Sequence, residues 1–426
     1  MTSVSTDTEL IVDPATYLTG VPHASFARLR AEHAVVWMDE PAPGTGFWGV
    51  LRHEEIKQVL RDTTTYSSYA KATQMFDPPN ERALTFIRQS LLNQDPPRHT
   101  ELRKLISRAF TAKAIAQLED RITSWANQLV DEVAGDGACD FSWLVADLPL
   151  RTIAEIFGVP DQDRWLMNDW SNRIIGYQDP DYATRAKANA GGSTAMARRA
   201  MVLRPEPDAD GRLPNQRTRA GMPDLFAYAR DLVEWKRDHP GDDVLSNLVR
   251  ADLPIAEFEN MFWLFPLAGI ETLRNGLPGG LHTLLSEPDT YRAVREDRSL
   301  LPGTIEEMLR WWSPIMHFRR TATVDTELGG QRIGAGDKVI VWFTSGNRDE
   351  RVFPEPDRFD ITRPQRDHLS FGNGPHYCLG AHLVRVQMRA MLTAVFDRLG
   401  EVRSAGEIAR LRSNFQNGIT HMPIQW

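Results

Sequence analysis

The stretch Phe371-Gly372-Asn373-Gly374-Pro375-His376-Tyr377-Cys378-Leu379-Gly380 decides how the rest of the chain is read. It sets a cysteine at the end of a loop rich in glycine and proline, just ahead of a helical pattern from Leu379 to Leu399. Glycines let a backbone approach a flat ligand closely and turn N–H groups toward a sulfur. The start of a helix favours negative charge, which lowers a thiol pKa and holds the thiolate. A thiolate with nearby N–H donors is what an iron porphyrin needs on its proximal side when O–O cleavage is to be favoured. A lone cysteine on such a turn is ordinarily structural, so companion motifs must decide.

Bulk properties narrow the field. The chain has 426 residues and a net charge of −8, with 42% hydrophobic and 25% charged residues. A chain of this length buries most of its unfolded surface and has room for a cofactor cavity. Its acidic balance argues against nucleic acid or an anionic membrane as a main partner. The two cysteines, Cys139 and Cys378, cannot build a disulfide framework and read as reduced thiols of a cytoplasmic protein. Cys139 follows Gly135-Asp136-Gly137-Ala138 in a turn and reads as structural. Met1 to Leu10 is polar, and the most apolar stretch, Met261 to Ile270, is too short for a bilayer and contains Pro266. No membrane anchor is expected.

Helical periodicity dominates. Patterns run from Thr111 to Gly135, Phe141 to Val159, Gln162 to Ile175, Pro223 to Pro240, Asp242 to Arg250, Ile255 to Leu285, Pro288 to Arg295 and Pro302 to Trp312. Phe47 to Leu51 reads as a strand, and short β-branched runs between Thr321 and Phe343 read as small sheet elements. Gly176 to Met222, with Gly191-Gly192, Pro205, Pro207 and Pro214, reads as a mobile connection, and the tail after Leu399 as irregular. The expected fold class is mainly α with minor β. One domain over 1–426 is expected, β-richer to about residue 66, with a lid at about 172–222.

Phe371, Gly374, Cys378 and Gly380 fit F-x-x-G-x-x-x-C-x-G, so the loop resembles the haem loop of the cytochrome P-450 family. Three further stretches resemble that family in the right order. Glu307-Met308-Leu309-Arg310 is similar to its E-x-x-R pair, a spacing that puts both side chains on one helix face. The resemblance makes this pair structural, with Arg358 of Phe353-Pro354-Glu355-Pro356-Asp357-Arg358-Phe359 as third member. Ala268-Gly269-Ile270-Glu271-Thr272 resembles the family's oxygen-binding groove. There small residues let a helix pass close over a flat face, and a threonine bonded back to a carbonyl opens the helical ladder. Pro266 and Pro278 should bend that helix. Leu273 stands where many members carry a second Thr or Ser. Asp95-Pro96-Pro97-Arg98-His99-Thr100-Glu101-Leu102-Arg103 resembles the start of the family's C helix, with His99 and Arg103 as i,i+4 neighbours.

The resemblance implies haem b between the I helix, around Ala268 and Gly269, and the cysteine loop with its following helix. It implies Cys378 as the metal ligand, beside Phe371 and Gly380, with His99, Arg103, Arg320 and His376 meeting the propionates. Arg319 is the alternative to Arg320. Glu271 and Thr272 would relay protons to dioxygen. Met75, Phe76, Leu91, Leu92, Leu264, Leu267, Ala268, Ile315 and Met316 would face a hydrophobic substrate of steroid, terpenoid or fatty-chain type, with Pro314 to Phe318 and Asn414 to Thr420 closing the cavity. The activity implied is a monooxygenase using O2, with a ferredoxin and ferredoxin reductase as electron donors. Arg98, Arg103, Lys104, Arg108 and Arg385 are candidate docking cations. A monomer is expected. Oxidative coupling, desaturation or haem-based ligand binding without turnover remain open alternatives on the sequence.

Overall fold

The computed structural model describes residues 3–42, 44–184, 193–216, 218–364 and 367–426. The chain divides into two compact units: one of Met1–Asp77, Ala126–Val145 and Asn275–Trp426, the other of Pro78–Trp125 and Ala146–Arg274.

The first unit is organised by the strand Lys338–Trp342, in which every residue is buried. A run as apolar as Val339-Ile340-Val341 has no solvent face, as expected of a central strand. It pairs in parallel with Phe47–Val50 and antiparallel with His317–Ala322, and Val35–Met38 and Tyr66–Ser67 form the edges. Side chains alternate across a strand. Val339 and Val341 therefore enter one cluster with Val35, Val50, Ile56 and Leu60, while Ile340 and Trp342 enter another with Tyr17, Phe26 and Met38. Each such side chain contributes about 1.5–3 kcal/mol on burial.

On this base lie the helices Leu301–Trp312 and Ala381–Arg398. Helix Thr272–Leu285 crosses the first of them at Gly279 and Gly280. A Cβ at Gly279 would fall 2.0 Å from the Trp312 ring, and one at Gly280 2.3 Å from Met308 Cε. The tail is not irregular. Ile419–His421 pairs with Ala409–Arg410, and Pro423–Gln425 lies between Arg403–Ser404 and Ala138–Asp140. Cys139 thus sits on a strand opposite Ile424 rather than in a turn. Burial, with Asp140 and Asp136 adding to it, pushes its thiol up to about 11, which leaves it unreactive and structural.

The second unit is helical. Trp170 of Arg164–Ile175 packs against Tyr228 of Pro223–Asp238 and Phe262 of Ile255–Pro266, at ring-centroid distances of 5.3 and 5.7 Å. Arg173 and Asp224, both fully buried, pair with each other, and Trp170 Nε1 donates to Asp224 at 2.8 Å. The expected segment Phe141 to Val159 is two helices, Phe141–Leu144 and Asp147–Phe157. Within the expected lid, Ala195–Met201 is helical, and residues 185–192 and 217 lie outside the described residues. No helix among the described residues is long and apolar enough to cross a membrane.

The Gly279 crossing gives a direct test. Alanine would gain about 1 kcal/mol of helix propensity. Against that stands overpacking of about 1–3 kcal/mol, and Trp312 cannot retreat because its Nε1 donates to Asn417 O at 2.7 Å. Gly279→Ala is therefore expected to lower the urea midpoint; an unchanged or higher midpoint would show that the crossing has slack.

Candidate functional site

The cysteine loop is built by hydrogen bonds that only this backbone shape allows. Cys378 N–H donates to Phe371 O at 2.8 Å, closing the loop, and Tyr377 N–H donates to Gly374 O at 3.0 Å across a 3-10 turn. Gly372 and Gly374 both have φ of +68°, a region that favours glycine. A Cβ at Gly374 would also lie 2.4 Å from Leu60 O, so the loop rests directly on the end of helix His53–Arg61. Asn373 Oδ1 accepts from Arg61 Nε at 2.8 Å. Cys378 is half-buried two residues before Gly380, the N-cap of Ala381–Arg398. At Gly380 a Cβ would lie 4.0 Å from the sulfur, an ordinary van der Waals contact.

The support beneath the loop is a buried ion pair. Arg310 donates to Glu307 through Nε and Nη2, each at 2.7 Å, and both side chains are almost fully buried. Arg310 Nη1 also donates to Asn347 O at 2.7 Å and Pro356 O at 3.1 Å. The same Asn347 accepts from Leu369 N–H at 2.6 Å, which carries the pair's rigidity into the loop. The third member is not Arg358. Its guanidinium is exposed on Glu355 at 3.3 Å, and only its carbonyl reaches Arg310, at 3.4 Å. Arg363 takes the place, 3.5 Å from Glu307 with its side chain 5% exposed. Arg363 also donates to Arg358 O at 2.9 Å, so the meander folds around the later arginine.

Strand alternation separates the two adjacent arginines. Arg319 Nη1 donates to Asp77 at 2.7 Å, which commits it to that carboxylate, while Arg320 faces the other way and donates to Arg319 O at 2.8 Å. The two guanidinium groups therefore leave the strand on opposite faces. His376 Nε2 stands 3.4 Å from Ser68 Oγ. Met75 and Met316 lie in the cluster with Trp342, at 2% and 0% exposure, and behave as core. Ile315 is half-buried and bridges to Gln416, and Phe76 is exposed.

In the second unit the helix Ile255–Pro266 passes into a π turn, Leu267–Glu271, immediately after Pro266. Thr272 Oγ1 donates back to Ala268 O at 3.1 Å, the bond expected to open the ladder. Ala268 is exposed although Leu267, Ile270 and Glu271 are buried, so one face of an otherwise covered helix is open and low. Gly269 serves a different purpose from the one expected. A Cβ there would lie 2.6 Å from Ile153, so its missing side chain lets helix Asp147–Phe157 close in. Glu271 and Thr272, consecutive in the helix, point to different faces. The buried Glu271 carboxylate accepts from Ser171 Oγ at 2.9 Å, Tyr182 OH at 2.8 Å and Arg274 Nη1 at 3.2 Å, away from Thr272. Leu91, Leu264 and Leu267 are buried and Leu92 half-buried.

His99 and Arg103 lie on helix Arg98–Ser107, one buried and the other half-buried. Arg98 is engaged by Glu101 and Glu257, whereas Lys104 and Arg108 are exposed. Arg385 is not a loose cation either: Glu306 accepts from it at 2.6 and 2.8 Å. In the first unit, a half-buried thiol just ahead of a helix start fits the thiolate that haem b takes; within the second unit, the uncovered Ala268 at a π turn is a low helix face of the kind a flat ligand needs. Side chains of the types that donate to a carboxylate lie in each unit, His99 and Arg103 in the second and Arg320 and His376 in the first.

Residues 242–400 match the cytochrome P450 family model. A steroid C26-monooxygenase of Rhodococcus jostii is 34% identical across 97% of this chain and 84% of its own. A linalool 8-monooxygenase of Pseudomonas putida is 34% identical across 97% of each chain. The solved structure of a Mycobacterium marinum cytochrome P450 in complex with pseudoionone is similar at a TM-score of 0.82 and 33% identity, over 95% of this chain and 94% of that one.

Burial opposes ionisation of Glu306, but bonds from Arg385 and His368 outweigh it and hold the carboxyl at about 2. A folded-state pKa below the usual 4.5 gives stability that is present above that value and lost as pH falls toward 2. Glu306→Gln should flatten the acid limb of the stability–pH curve in that window; an identical acid limb in both proteins would exclude the assignment.

Proposed function

The chain belongs to the cytochrome P450 family, whose cofactor is haem b, and on that premise we propose a monooxygenase acting on a C–H bond of a hydrophobic small molecule. When bound, the haem supplies activation of dioxygen with electrons delivered by a separate donor. Cys378 provides the thiolate, in a loop shaped by Phe371 and Gly380. His99, Arg103, Arg320 and His376 are the proposed partners of the propionates, where charge-assisted bonds are strongest. Ala268 keeps the distal helix face low.

Thr272 and Glu271 divide the proton work. The Thr272 hydroxyl donates to Ala268 O, so its lone pairs are what it offers the distal side. They accept from a water and align it for proton delivery. Glu271 is the acid that resupplies that water, exchanging one of its present donors, Ser171 or Tyr182, to do so. Leu91, Leu92, Leu264 and Leu267, with Phe76 and Ile315, supply the apolar contacts of a steroid, terpenoid or fatty-chain substrate. Two relatives bear the names steroid C26-monooxygenase and linalool 8-monooxygenase, which supports that class. A ferredoxin with its reductase is the proposed electron source, docking near the exposed Lys104 and Arg108. A cytoplasmic, monomeric protein completes the reading.

The observation that carries the proposal is the Thr272 back-bond at the π turn beside an uncovered Ala268. A protein that only held haem or sensed a gas would need neither. Thr272→Ala should keep haem content and the spectral response to an apolar substrate, while product formed per electron falls by about tenfold or more and peroxide rises. Unchanged coupling would remove Thr272 from proton delivery.

A further inference from the structure

Arg385 stands one turn into helix Ala381–Arg398, close after the cysteine loop. All three of its nitrogens are committed. Nε and Nη2 donate to the two Glu306 oxygens at 2.6 and 2.8 Å, and Nη1 donates to Ala381 O at 3.0 Å. Its guanidinium carbon lies 4.6 Å from the centroid of the Phe371 ring. Phe371 is 7% exposed and packs at 6.1 Å against the ring of Tyr377, which is also a hydrogen-bond partner of Arg385. One guanidinium therefore bears on both ends of the loop: Phe371, whose carbonyl receives the Cys378 N–H, and Tyr377, which precedes the sulfur. Glu306 anchors that guanidinium to helix Leu301–Trp312, beside the buried Glu307–Arg310 pair, and receives His368 Nε2 at 3.2 Å.

We propose that Arg385, held by Glu306, is a positioning residue for the Cys378 thiolate: it clamps Phe371 and Tyr377 so that the loop cannot relax and release the sulfur. This rests on Cys378 being the haem ligand. A two-pronged Arg–carboxylate bond fixes geometry as well as charge, and a planar guanidinium stacks on a ring as an ammonium does not. Lysine at 385 would keep the charge and lose both. A docking cation behaves in the opposite way, since its charge is what matters and lysine serves.

The experiment uses the haem-loaded protein, reduced under carbon monoxide, in four forms: unsubstituted, Arg385→Lys, Arg385→Gln and Glu306→Gln. The double variant Glu306→Gln/Arg385→Gln is a fifth form. In each form the experiment follows the rate at which the thiolate-type Soret band gives way to the neutral-thiol band on gentle warming, with far-UV circular dichroism in parallel. The clamp predicts conversion faster by about tenfold in all three variants, at temperatures where the far-UV signal has not changed. The Glu306→Gln/Arg385→Gln double variant should be no faster than either single one. Should Arg385→Gln fail to fold, Arg385→Lys and Glu306→Gln carry the test. Bands as durable as in the unsubstituted protein would overturn the clamp. So would a raised half-saturation for a surrogate ferredoxin in Arg385→Gln, restored in Arg385→Lys, with band lifetimes unaltered. If the unsubstituted protein gives no thiolate band at all, the ligation itself is refuted, and the clamp with it, which is a different result from the other two.

Discussion

The hydrogen bond from Cys378 N–H to Phe371 O closes the loop that presents the Cys378 sulfur, and the proposed chemistry depends on that loop. It holds a sulfur half-exposed at the mouth of a helix, where a thiolate is favoured by the backbone N–H groups ahead of it. The surrounding structure keeps this geometry in place. Gly374 lies flat against Leu60, the Glu307–Arg310 pair fixes the helix below, and Asn347 ties that pair to Leu369 at the loop entrance. A buried pair is weak support for stability when compared with apolar packing, but losing one partner leaves an uncompensated charge. Glu307 and Arg310 are therefore better understood as setting a unique arrangement of loop and meander than as adding net free energy.

The second unit is built around a helix that is deliberately imperfect. Pro266 leaves a carbonyl four residues earlier without its usual donor, and the π turn that follows shifts the register. Thr272 then spends its hydroxyl hydrogen on Ala268 O. Gly269 lets Ile153 approach one side while Ala268 keeps the other low. Three residue types, each a poor choice for a regular helix, agree here on one local shape. Glu271 is secured by a serine, a tyrosine and an arginine, so its availability depends on how firmly helix Arg164–Ile175 and Tyr182 hold it.

Much of this was legible in the sequence because the decisive signals are local. The cysteine decapeptide, the E-x-x-R spacing and the Thr272 back-bond each lie within ten residues and dictate their own geometry. Strand alternation sends Arg319 and Arg320 to opposite faces, and only the structure shows that Arg319 is the one held by Asp77. What escaped depended on distant partners. Arg358 sits in the expected stretch, yet Arg363 reaches Glu307, because the meander's path is set by tertiary bonds that no spacing reveals. Glu271 looks toward Ser171 and Tyr182, roughly a hundred positions away in the chain. The strands of the tail are two or three residues long, too short for a periodic pattern to register.

The most direct measurement of the central claim is the absorption spectrum of the reduced protein under carbon monoxide. The account predicts the red-shifted Soret band of a thiolate-ligated haem, and its disappearance in Cys378→Ala. A protein that stays colourless when produced with ample haem would contradict it. So would a band typical of nitrogen ligation that survives loss of the Cys378 sulfur.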